Sequence, residues 1–185
     1  MVSGFGAEAL ATQRVGGQIE SISWNTADGF AAALNAFIAQ NYGAGKMDRV
    51  KQGVNYCWIM LFVWSVIEMV LMYFGGKYFT HLFVSSSQTD VINVSVTYFH
   101  TVFWAYPFLC TIFLFRNALQ GMGYGLVPML GGVFELVART AIVVFVAGKT
   151  TFAGVCLADP VAWIAALIPL IPYYFHIMKK SFKRV

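Results

Sequence analysis

Apolar residues in this chain fall into long unbroken blocks, with polar residues gathered between them. A hydrocarbon core of about 30 Å is crossed by about 20 apolar helical residues. Four blocks reach that length: 53–74, 91–115, 127–147 and 160–178. The first is rich in Trp, Met, Val and Leu and reads as broken by Gly75-Gly76; the second is aromatic and ends at Arg116. Pro128 and Pro160 sit near the starts of the third and fourth, where a missing N–H sacrifices no helical hydrogen bond.

A fifth segment, 16–40, has helical composition but carries Glu20, Ser21, Ser23, Asn25, Thr26 and Asp28. Gln18, Ser21, Asn25 and Asp28 recur at helical spacing and therefore share a face. The second half, Phe30 to Phe37, is apolar and alanine-rich, a composition that lets helices approach closely. The pattern predicts a fifth span with one face turned to protein or water rather than lipid.

The connections are short and polar. Asn41 to Gln52 holds a basic cluster, Gly75 to Asp90 centres on Ser85 to Thr89, Gln120 to Leu126 is a Gly-rich hairpin, and Gly148 to Asp159 closes a last loop. With no linker, low-complexity tract or internal repeat, residues 1–185 read as a single membrane-embedded unit. The predicted fold class is all-α: a polytopic membrane helix bundle of about five spans.

Composition excludes a soluble domain. The chain is 59% hydrophobic and 11% charged, against about 25% charged in soluble domains. Its charge also sets an orientation. Threaded through five spans, Lys46, Arg49, Lys51, Arg116, Lys179, Lys180, Lys183 and Arg184 fall on one side, against Arg14, Lys77 and Lys149 on the other. The positive-inside rule then puts the C-terminus in the cytoplasm. The same anchoring role explains the basic pI without nucleic acid. An odd number of spans requires an outside start, with Glu8 and Arg14 carried across and no preceding helix to bring them. The first residues lack the basic region of a signal peptide. Cys57, Cys110 and Cys156 are far apart and lie in or beside apolar segments, so they read as small buried hydrophobes. Tyr56, Trp58, Tyr73, Tyr78, Trp163, Tyr173 and Tyr174 read as aromatic belts at the interfaces.

Charges inside the spans carry the candidate chemistry. Glu135 and Arg139 lie four residues apart on one helix, in the favourable order for an ion pair. Left unpaired mid-membrane, each would be penalised by about 2.5–3.5 kcal/mol. They fit either a structural pair that fixes helix orientation or a pair lining a translocation cavity. A relay role could fall only to Glu135, because arginine keeps its proton. Glu20 and Asp28 are the other candidates. A carboxylate among amides and hydroxyls, as Asp28 is beside Asn25 and Ser21, could bind a cation or exchange a proton. Glu68 reads as interfacial or paired, His100 as a packing residue, and Arg116 as an anchor at the end of its span. With no nucleotide loop, metal cluster or nucleophile–base pair in the sequence, it does not read as an enzyme.

Five ordered motifs carry a resemblance. They are Asn25-Thr26-Ala27-Asp28-Gly29-Phe30; Ala39 to Lys46 (AQNYGAGK) with Arg49-Val50; Arg116 to Gly123 (RNALQGMG); Glu135 to Arg139 (ELVAR); and Ala158 to Trp163 (ADPVAW). In this order they resemble the C-terminal lobe, helices eight to twelve, of the multidrug and toxic compound extrusion (MATE) family, over nearly the whole chain. The branch found in Gram-positive anaerobes is the most similar. The resemblance implies most of one six-helix lobe of a two-lobed, Na⁺- or H⁺-coupled antiporter in the bacterial cytoplasmic membrane that exports amphipathic organic cations. It implies no cofactor beyond the coupling ion. The family's coupling acids in the N-lobe and the seventh helix have no counterpart here, and 105–115 has no acid where some sodium-coupled members place one. The cavity candidates are then Asn25, Asp28, Glu20, Glu135 and Arg139.

Alternating access needs two halves, so the chain is expected to be inactive without an N-terminal lobe or a second subunit. The expectation covers truncation, a late start or a split gene. A self-contained protein that oligomerises into a pore or half-transporter is the alternative, as is a lipid-linked-sugar flippase of the same superfamily. The expected partners are the bilayer, the absent lobe and small organic cations.

Overall fold

A computed structural model describes residues 7–82, 89–145 and 152–182. The chain is a bundle of α-helices with no strand among the described residues. The helices are α1 (Ala7–Gly43), α2 (Met47–His81), α3 (Thr89–Val102), α4 (Tyr106–Gly121), α5 (Leu126–Phe145), α6 (Phe152–Cys156) and α7 (Ala158–Phe182). Four segments are long and apolar enough to cross a membrane: Met47–His81, Val91–Gly121, Leu126–Phe145 and Gly154–Phe182. Helix α1 falls outside that hydropathy criterion, yet at 37 residues it extends about 55 Å, well beyond a bilayer core.

Helix α1 earns its place by packing. Ile19, Ala27, Ala31, Leu34 and Ile38 form a buried stripe, whereas Gln18, Ser21, Asn25 and Asp28 are exposed. Helix α2 shows the same one-sidedness over its full length. Its buried positions, Met47, Val50, Val54, Cys57, Leu61, Ser65, Glu68, Met72, Gly76 and Thr80, step by three and four. That stripe runs straight through Gly75-Gly76, so the break expected there does not occur. Gly76 instead admits the Phe99 ring, which a β-carbon would meet at 2.8 Å. The polar centre expected at Ser85 to Thr89 lies almost wholly outside the described residues, as do Lys149, Lys183 and Arg184.

The second apolar block, 91–115, is two helices rather than one. Residues Phe103–Ala105 tighten to a 3-10 turn between α3 and α4. Pro107 follows in the first turn of α4, where its ring and missing N–H disfavour regular α-helical bonding to the preceding turn. Helix α4 is the central element, packed against α1, α2 and α7, while α5 packs chiefly on α7. A β-carbon on Gly131 of α5 would lie 3.3 Å from Leu170 and 3.5 Å from the Ala166 carbonyl, the close approach that small residues allow in membranes. The loop expected at 148–159 contains α6, and Asp159 belongs to the first turn of α7.

Two motif turns have one physical explanation. After α1, Lys46 N–H bonds to Asn41 O at 2.8 Å and Gly45 N–H to Tyr42 O at 3.0 Å. After α4, Tyr124 N–H bonds to Leu119 O and Gly123 N–H to Gln120 O, both at 2.9 Å. Both are the paired bonds of a Schellman cap, which needs a left-handed residue at the position after the cap. Gly45 (φ 71°) and Gly123 (φ 86°) supply it.

Candidate functional site

The acidic and basic side chains of three helices meet in one chain of alternating charge. Arg139 and Glu135 are one turn apart on α5, and Arg139 Nη2 donates to Glu135 Oε1 at 3.1 Å. The same Nη2 lies 3.1 Å from Asp159 Oδ1, at the N-terminus of α7. On the other side Arg116 Nη2 of α4 is 3.9 Å from Glu135 Oε2. The order Arg116, Glu135, Arg139, Asp159 therefore ties α4, α5 and α7 with no net charge. Asp159 also sits in the first helical turn, where a carboxylate is favoured by the helix dipole.

Glu20 faces this chain from α1. It is 6% exposed, and the Tyr106 hydroxyl donates to its Oε1 at 3.2 Å. Tyr98 is a second phenol lining the same cleft as Glu20. Tyr106 itself is fully buried and its ring lies 6.2 Å from that of Trp163. Gly16 makes room for Tyr98, since a β-carbon there would come within 2.9 Å of the ring. Among the described residues Glu20 makes no ion pair. Between α1 and the α5–α7 pair lies an open cleft of about 360 Å³, lined by Gly17, Glu20, Ser21, Trp24, Asn25, Tyr98, Arg139 and Asp159.

The five sequence candidates thus separate. Glu20, Asn25 and Arg139 line the cleft, and Glu135 reaches it through Arg139. Asp28 is exposed further along α1 and does not line it. Eight residues carry the helix about 80° past two full turns, so Glu20 is rotated into the bundle while Asp28 stays on the polar face. Asp159, Tyr98 and Tyr106 are site residues that the span-by-span reading passed over. Only the Asp-Pro pair at the start of an apolar block hinted at the first.

Other expectations are corrected. Glu68, read as interfacial or paired, is 2% exposed and lies inside the bundle. Arg116 does more than anchor, being the first member of the charge chain. Trp163 and Tyr174 are core residues rather than belt residues, at 1% and 5% exposure. His100, by contrast, packs as read from the sequence: it stacks on Tyr73, with ring centroids 4.7 Å apart, and Nε2 lies 3.2 Å from the Tyr73 carbonyl.

This arrangement can be set against known proteins. The family model described as MatE matches residues 1–145. The chain belongs to the MatE family. Over 184 residues it is 24% identical to the probable multidrug resistance protein YoeA of Bacillus subtilis, covering 97% of this chain and 39% of that protein. It is 26% identical over 125 residues to the probable multidrug resistance protein NorM of Thermotoga maritima, covering 68% and 26% respectively. In fold it is similar to the inward-facing structure of a multidrug resistance MATE family transporter of the MOP superfamily. The TM-score is 0.85 at 16% identity, over 95% of this chain and 41% of that one. The matched region therefore spans between about a quarter and two fifths of the length of these relatives. It is a multi-pass membrane protein of a transporter family rather than of an enzyme family.

Proposed function

We propose that this MatE chain forms one half of a cation-coupled multidrug efflux antiporter, and that its cleft takes the coupling cation. The observation that carries the reading is Glu20. It is a carboxyl buried in a membrane helix, held by a tyrosine hydroxyl, and open to a cleft whose far wall is the Arg139–Asp159 pair. Intramembrane acids facing a polar cavity mark ion and proton paths. Na⁺ or H⁺ arriving there finds Glu20 and Asp159. It weakens the hold of Asp159 on Arg139 and so loosens the tie between α5 and α7. An amphipathic organic cation competes for the same carboxylates with Trp24 as an aromatic neighbour, and competition at one site is what antiport requires.

The relatives' names support multidrug export, and the exposed polar face of α1 supports a second half. Ser21, Asn25 and Asp28 are all exposed on a helix embedded in the bundle, and polar side chains at membrane depth turn to protein or water rather than lipid. A complementary helical lobe, covalent or a separate subunit, fits against that face. The basic clusters at the Met47 and Phe182 ends favour a cytoplasmic C-terminus in the bacterial plasma membrane.

Trp24 provides the test. Titration of the purified protein with NaCl, with N-methylglucamine holding ionic strength constant, should change the emission of Trp24, read as the difference between wild type and Trp24→Phe, and ethidium should compete. Glu20→Gln and Asp159→Asn should each remove the Na⁺ response, whereas Asp28→Asn should keep it. An unchanged Na⁺ and pH response in both cleft variants would overturn the assignment.

A further inference from the structure

A second, larger cavity lies elsewhere in the molecule and has the opposite electrostatic character. A groove of about 560 Å³ runs between α2 and α7 over the surface of α4, within the roughly 300–1,000 Å³ range of ligand pockets. Lys51 and Lys179 stand at its mouth, and Trp58, Leu114, Phe115 and Phe175 line its apolar body. Its lining contains no carboxylate.

The depth of these residues makes the groove amphipathic along the membrane normal. Lys51 is in the second turn of α2, and Lys179 is in the last turn of α7, so both ammonium groups lie at the same end of the bundle. Trp58 is seven residues further along α2, about 10 Å deeper. Arg49 and Lys180 extend the basic rim, with Asp48 the acid among them. A cationic drug meets two lysines here and no counter-charge, so this is not a second site for the cations proposed for the Glu20 cleft. The complementary occupant has a negative head and an apolar tail.

We propose that this groove is a binding site for an anionic phospholipid. Its phosphate is held between Lys51 and Lys179, and one acyl chain lies along Trp58, Phe115 and Phe175. Basic pockets between membrane helices at the cytoplasmic side hold anionic headgroups in this way. The lipid then bridges α2 and α7, two helices whose contact is otherwise made through α4.

The test uses the purified protein in mixed micelles with phosphatidylglycerol or phosphatidylcholine brominated on the acyl chains, and reads quenching of tryptophan emission. The difference between wild type and Trp58→Phe isolates the signal of Trp58. Brominated phosphatidylglycerol should quench Trp58 at lower mole fraction than brominated phosphatidylcholine. Lys51→Gln and Lys179→Gln should each reduce that preference about fivefold, because a basic residue near an anionic surface contributes about 1 kcal/mol. Lys180→Gln, outside the groove lining, should reduce it less. Far-ultraviolet circular dichroism of the lysine variants should match wild type. Equal quenching by the two lipids would overturn the proposal, as would a preference that survives the Lys51→Gln/Lys179→Gln double substitution. Displacement of the brominated lipid signal by millimolar inorganic phosphate would also overturn it, showing a free-anion site instead.

Discussion

Replacing Arg139 by Gln tests whether the four-residue charge chain holds the α5–α7 pair. Arg139 is shared by two carboxylates at 3.1 Å each. Its loss leaves Glu135 with only Arg116 at 3.9 Å, and it takes from Asp159 the one cation that the described residues place in contact with it. The side chains involved are 41%, 25% and 28% exposed, neither fully buried nor at the surface. Exposed pairs contribute about 0.2–1 kcal/mol, and breaking a buried pair is destabilising by about 3–5 kcal/mol. The intermediate exposure puts Arg139→Gln at about 2 kcal/mol by interpolation between those limits. Adding Asp159→Asn to that variant removes an orphaned charge and should recover about 1 kcal/mol, whereas Asp159→Asn alone should destabilise. Unfolding of the four proteins in mixed detergent, titrated with SDS and followed by circular dichroism, reads the coupling. Equal effects of Asp159→Asn in both backgrounds would show that the two residues act independently, and the proposed tie between helices would fail.

Three further changes probe the packing that positions the cleft. Gly121→Leu places a side chain whose β-carbon would lie 2.7 Å from the Asn35 backbone carbonyl and 3.1 Å from Ile38. Helix α1 must move, and a loss of about 1–3 kcal/mol in the same unfolding assay is expected. Tyr106→Phe removes the 3.2 Å bond to Glu20 while keeping the ring against Trp163. It should destabilise by about 1–3 kcal/mol, the usual effect of leaving a buried acceptor without its donor, and shift the Na⁺ titration of Trp24 emission. Gly16→Val should displace the Tyr98 ring from the face of α1 and weaken that titration, with helix content unchanged by circular dichroism.

How much of this was legible in the sequence depends on the distance over which the signal acts. The apolar blocks announced the helices, because burying or exposing about 20 consecutive apolar residues leaves few alternatives to a membrane. The Glu135–Arg139 pair was legible for the same local reason, being one helical turn. The break expected at Gly75-Gly76 was a local rule overridden by packing: the buried stripe of α2 continues and Phe99 fills the space left by Gly76. The kink at Phe103–Ala105 was in principle readable from Pro107. The site itself was only half legible. Glu20, Tyr106 and Asp159 come from helices far apart in sequence, and no spacing rule links them. The polar face of α1 drew attention to Asp28, while the buried acid two turns away turned into the bundle. The motif residues Asn117 and Gly121 also acquire a reason: Asn35 Nδ2 donates to Asn117 Oδ1 at 3.4 Å, and Gly121 lets α4 approach α1 at the Asn35 carbonyl.

The central proposal is that this MatE chain supplies a cation site but only half of an antiporter. Proteoliposomes containing the 185-residue chain alone, loaded with ethidium and given an inward Na⁺ or H⁺ gradient, test it directly. Binding without transport is expected: Na⁺ changes Trp24 emission, but ethidium efflux stays at the rate of protein-free vesicles. Gradient-driven efflux from those vesicles would contradict it and show that the chain, alone or as copies of itself, completes the transport cycle.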